Sequence, residues 1–140
     1  MPFDFAKVNV WAVLVAALIA FLVGGIWYTA VFGKLWVRLH GFSEERIAKM
    51  KAAMSPPRFF GGMFISYLVL AAALALTLTA TPEPTAQTGI LLGILFWVAT
   101  SAIAMTGQIA SDRHIGIYFI DVGCALVYLV LMGWVLGTWR

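Results

Sequence analysis

Asp121 is the one acidic or basic side chain set well inside an apolar stretch of this chain. A charged carboxylate in hydrocarbon costs about 2.5 to 3.5 kcal/mol or more, so an acid there needs either hydrogen-bond donors or a cation. It follows the start of its stretch by roughly 9 Å at about 1.5 Å per residue. Counting the same depth along the other apolar stretches reaches Trp27 and Tyr28, then Ser66 and Tyr67, then Ser101. The expectation is therefore an inward-facing Asp121 held by some of Tyr28, Ser66, Tyr67 and Ser101. Around it, Tyr118, Asp121, Cys124, Ala125, Tyr128 and Met132 fall on one helical face, which should be the buried one. Two roles compete: a polar clamp that fixes helix register, or a site that binds a proton or cation from one side of a membrane.

Other chemistry finds little support. His40, Asp112 and His114 could ligate a metal only if folding brought them together, and no metal or other cofactor is expected. GxSxG, HExxH and GxxxxGK[ST] are all missing, so no enzyme activity is expected. Cys124 is the single cysteine, which excludes an intrachain disulfide and a CxxC site.

The elements that must position Asp121 are membrane helices. Segments 8–33, 59–80, 89–110 and 115–139 carry no acidic or basic residue other than Asp121, and each is long enough for a bilayer, which needs about 20 apolar residues. Only 11% of the 140 residues are charged, against roughly a quarter in a soluble domain, and mean hydropathy is +0.97. The first segment is too long for the apolar part of a cleavable signal and reads as a span. These segments predict an all-α, polytopic membrane protein, a single domain built as an antiparallel four-helix transmembrane bundle. Between the first two spans, 43–54 reads as a short amphipathic interfacial helix. Ser43 can cap it, Glu44 and Glu45 suit its first turn, Phe42 can close on Ile47, and Pro56 and Pro57 stop it. Ile47, Met50 and Met54 share one face and Lys49 the opposite one.

Basic residues set the orientation. Lys34, Arg38, Arg46, Lys49, Lys51 and Arg58 lie between the first two spans and Arg113 between the last two, against Lys7 and Arg140 on the other side. Positive-inside then makes the basic 34–58 segment cytoplasmic and puts both termini outside. Trp27 and Trp36, with Lys34 and Arg38, should anchor the first span at headgroup depth, as Met50 and Met54 should anchor the surface helix. The net charge of +3 flanks spans, so anionic lipid and not nucleic acid is its expected partner.

Small residues supply the packing signal. Gly89, Gly93, Thr100, Ala104, Gly107 and Ser111 occupy a narrow arc of the third span, and Gly89 with Gly93 is a literal GxxxG. Gly133 and Gly137 repeat the device on the fourth span, and Ala17, Ala20 and Gly24 offer it on the first. Such faces serve packing within the chain or contact with another subunit. Function is accordingly expected to be association in the bilayer, as a homo-oligomer or an accessory subunit of a membrane complex. The alternative is a small proton- or cation-coupled transporter or channel using Asp121.

With Asn9, Phe21, Gly25, Trp27, Tyr28, Phe32, Gly33 and Trp36 in view, the opening of the chain resembles the bacterial membrane family catalogued as domain of unknown function 1761. The last span, IDVGCALVYLVLMGWVLGTW, is similar too, with Asp121 and Gly133 at matching positions. Gly89, Gly93 and Trp97 match more loosely. The turn SDRHIG departs from the family pattern, so no role for Asp112 or His114 carries over. The resemblance implies a small four-span protein of the bacterial inner membrane and brings no activity with it.

Overall fold

The computed structural model describes residues 2–139. Arg140, counted in the charge balance above, and Met1 lie outside the described residues. The chain is all-α. A 3-10 turn, Phe5–Lys7, precedes α1 (Val10–Ile26), a π-helical turn (Trp27–Val31), α2 (Gly33–His40), α3 (Glu44–Ala53), α4 (Pro56–Thr79), α5 (Ala86–Ala110) and α6 (Ile115–Thr138). Four stretches, Val10–Val31, Pro56–Thr79, Ala86–Ala110 and Ile115–Thr138, are long and apolar enough to cross a membrane. Their outward faces carry Trp11, Leu95, Ile103, Ile109 and Phe119, all exposed, as expected of surfaces meant for lipid.

Local chemistry sets the helix ends. Asn9 Oδ1 accepts from the Trp11 and Ala12 amides at the start of α1, Ser43 Oγ from Arg46 at α3, Thr85 Oγ1 from Thr88 at α5 and His114 Nδ1 from Gly116 at α6. Gly41 ends α2 at φ +67°, a left-handed position that suits glycine. Pro56 and Pro57 stand just beyond the end of α3, where they were expected to stop it, and they also open α4, because a proline needs no amide partner in a first turn. Met54, in extended conformation, is the C-cap of α3. Phe42, expected to close on Ile47, lies under the Arg46 guanidinium at 4.9 Å and beside His40. Nor is the first span one continuous α-helix through 33. It widens at Trp27 and breaks at Phe32.

The core gathers around α6, which packs on α5, α1 and α4. Ala12, Ala16 and Ala20 recur every fourth residue along α1 and are fully buried, so α1 lies close to Ala71, Leu74, Ala75 and Leu78 of α4 and to Leu129, Met132 and Leu136 of α6. Between α5 and α6 the approach is backbone to backbone. A Cβ on Gly89 would overlap the Gly133 carbonyl, one on Gly93 the Leu129 carbonyl, and one on Gly137 the Thr85 carbonyl.

The small-residue arc of α5 does not act as one stripe. Gly89 and Gly93 are buried against α6, whereas Thr100, Ala104 and Gly107 are exposed. Gly107, expected to serve helix packing, has nothing within 4 Å of where a Cβ would stand. Beyond Gly93, bulky Trp97 and the buried Ser101 carry the contact with α6, and that contact leaves the arc behind.

Candidate functional site

The π-helical turn is what delivers the first donors to Asp121. Its extra residue per turn, closed by the Phe32 amide on the Trp27 carbonyl at 2.8 Å, swings Trp27 and Tyr28 toward α6. Tyr28 Oη donates to Asp121 Oδ1 at 2.6 Å, and Trp27 Nε1 to the Ile120 carbonyl at 2.9 Å. The chain must then turn sharply into α2. Gly33 permits it, since a Cβ there would strike the Tyr28 carbonyl. One turn further on, Trp36 Nε1 donates to the same Asp121 Oδ1 at 3.2 Å, its ring edge-on to Tyr28 with centroids 5.9 Å apart. From the opposite side Trp97 Nε1 donates to the Val122 carbonyl at 2.8 Å. Indole donors thus occupy spare lone pairs of α6 carbonyls on either side of the acid.

Asp121 Oδ2 accepts no hydrogen bond among the described residues. The acid lines a cavity of about 250 Å³ with Tyr28, Tyr67, Ser101, Cys124 and Tyr128. Ser101 is 8% exposed, and its Oγ is buried without a hydrogen-bond partner. Its carbonyl takes the Tyr118 hydroxyl at 3.1 Å. Tyr67 and Tyr128 meet edge to face at 5.2 Å. Gly24 makes room for the first of them, for a Cβ there would stand 3.0 Å from the Tyr67 hydroxyl oxygen.

Of the residues expected around Asp121, only Tyr28 bonds to it. Tyr67 and Ser101 share its cavity without touching it by hydrogen bond. Ser66 lies apart: it is exposed and donates to the Gly62 carbonyl at 2.9 Å, because a serine in a helix can satisfy itself on the preceding turn. Trp27 and Trp36, expected as headgroup anchors, turn their indole nitrogens inward to α6. Lys34, Arg38, Met50 and Met54 are exposed. His40 Nδ1 contacts the Trp36 carbonyl at 2.8 Å and His114 caps α6, so His40, Asp112 and His114 are not assembled. Among the described residues no group of three or more His, Cys, Asp or Glu could hold a metal. Trp36 was the donor that depth counting missed. It lies past the span, and only the break at Phe32 brings it back.

Four membrane-capable helices, with an acid fixed between phenol and indole donors, define a multi-pass membrane protein. The chain belongs to the family described as protein of unknown function (DUF1761), whose family model matches residues 11–137. No curated protein and no solved structure matches it.

Proposed function

We propose that this chain is an antiparallel four-span bundle that works by helix association, as a homo-oligomer or an accessory subunit of a membrane complex, without enzymatic activity. The observation that carries this reading is the exposed run of Thr100, Ala104 and Gly107 on α5, a small-residue face continuous with the one that α6 covers at Gly89 and Gly93. Lipid chains gain little from such a face, whereas a second helix gains close packing. The setting is a bacterial inner membrane, with the 34–58 segment cytoplasmic, both termini outside, and α3 lying along the inner surface on Ile47, Met50 and Met54. Exposed Arg46, Lys49 and Lys51 on α3 support that placement.

Native mass spectrometry from lipid nanodiscs tests it. The expected result is a discrete oligomer or a copurifying subunit, lost when Gly107→Trp fills the face. A strict monomer at every concentration overturns it.

A second reading is favoured by one different observation, the unpaired Asp121 Oδ2 in its cavity: movement of protons or cations coupled to that acid. In proteoliposomes loaded with a pH-sensitive dye, the expected flux disappears in Asp121→Asn. Flux unchanged by that substitution removes Asp121 from the pathway.

A further inference from the structure

The cavity beside Asp121 holds more unmet polar capacity than a register clamp requires. Asp121 Oδ1 already has both Tyr28 and Trp36, which is enough to fix α2 and the π-helical turn to α6. Yet Asp121 Oδ2 and the hydroxyls of Ser101, Tyr67 and Tyr128 have no hydrogen-bond partner among the described residues, and the four residues that carry them line one cavity. Ser101 carries the most weight. At 8% exposure its hydroxyl is shut away from bulk solvent with no backbone carbonyl taken as partner, although helical serines ordinarily find one, as Ser66 does.

The chemistry of the lining selects the occupant. Asp121 is the only acidic or basic residue in it, so the lining carries at most a single negative charge. One monovalent cation cancels that charge, whereas an anion would be repelled. A divalent metal would find too few carboxylate or imidazole ligands, since no suitable cluster exists among the described residues. What does match is a cation with several N–H donors and some apolar surface. Asp121 Oδ2 offers a charged acceptor, Ser101 Oγ and the tyrosine hydroxyls offer neutral ones, and the rings of Tyr28, Tyr67 and Tyr128 bound the space, as aromatic residues do around ammonium groups. A volume of about 250 Å³ suits a compact ligand. Thr100 and Ala104, which line the cavity on α5 and are exposed, mark the side from which it opens.

We propose that this cavity binds a primary organic ammonium group, paired with Asp121 Oδ2, hydrogen-bonded by Ser101 Oγ and enclosed by Tyr28, Tyr67 and Tyr128. The ammonium belongs either to a free small amine or to a lipid headgroup such as ethanolamine, whose chemistry at the site is the same. Ammonium recognition rests on the coupling reading above and names its cation.

Titration of ethylammonium chloride into the full chain in phosphatidylcholine nanodiscs tests the site, with sodium chloride and ethanol as matched controls and calorimetry as the readout. Saturable ethylammonium binding is expected, with no comparable response to either control. Asp121→Asn should weaken it about ten-fold or more, the loss of a charged hydrogen bond, and Ser101→Ala about three-fold, the loss of a neutral one. Ser101→Ala keeps the test decisive even if Asp121→Asn fails to fold, because it removes a hydroxyl that bonds to nothing and should leave thermal stability unchanged. Repeating the titration in nanodiscs containing phosphatidylethanolamine separates the sources. A raised apparent Kd supports the site with the headgroup as occupant, and an unchanged one supports it with a free amine. Absence of saturable binding, an equal response to sodium, or affinity unmoved in both variants overturns the proposal. Since binding is read without a gradient, retained binding with no flux sinks only the coupling reading, and proton flux without ammonium binding sinks only the ammonium site.

Discussion

The two ends of the α5 and α6 pair are built on opposite terms. Near Gly89 and Gly133 the backbones touch, and Leu129, Met132 and Leu136 pack toward α1 and α4, with a cavity of about 400 Å³ bordered by Ala12, Ala75, Leu78 and Leu136 beside them. Near Ser101 and Asp121 the same helices are held by single hydrogen bonds from Trp97 and Tyr118, with a polar cavity alongside. In lipid, where burial of apolar surface no longer drives association, the first end gains its stability from close contact and the second from satisfied polar atoms. One helix pair can therefore be held by backbone contact at one end and by side-chain hydrogen bonds at the other.

The largest effect should come from Gly133→Val. Its side chain has only the Gly89 carbonyl and the start of α5 to displace, so a loss of about 3 kcal/mol is expected in reversible detergent unfolding, with failure to fold as the extreme. Leu74→Ala empties a fully buried position in the same region and should cost about 2.5 kcal/mol by the same measurement. Tyr28→Phe removes one bond to Asp121 but leaves Trp36 in place, so about 1.5 kcal/mol is expected, together with a change in Trp36 fluorescence. Gly107→Ala and Ser66→Ala should each stay within about 0.5 kcal/mol, because nothing stands near the first and the second bonds only to its own helix. If Gly107→Ala proved as damaging as Gly133→Val, the contrast between the two ends would collapse.

The spans were legible because lipid excludes charge, and that filter acts on every residue of a 20-residue window at once. Gly89, Gly93, Gly133 and Gly137 were legible for a related reason: spacing at four residues fixes a face. The fate of Gly107 was not, since periodicity shows which residues share a face and says nothing of whether a neighbour follows that face to its end. At Asp121, depth along a helix located Tyr28, Tyr67 and Ser101 near the acid. It failed for Ser66, which points elsewhere around its helix, and for Trp36. Counting residues assumes an even rise, and the π-helical turn with the break at Phe32 violates that assumption where the site is made. Gly33 held a clue: a glycine after an aromatic run is compatible with a sharp turn, but the direction of that turn is set by contacts from a helix far along the chain.

The turn between α5 and α6 also bears on how the protein is made. Gln108 donates to the Arg113 carbonyl across that turn, and His114 caps the next helix, so the link that makes α5 and α6 a hairpin is ordered by residues of its own. Asp121 follows in the chain, on a helix whose Val122 carbonyl takes the Trp97 indole, after Tyr28 and Trp36 have been synthesised. Biogenesis would expose the acid to bare hydrocarbon only for the interval needed for the two halves to meet.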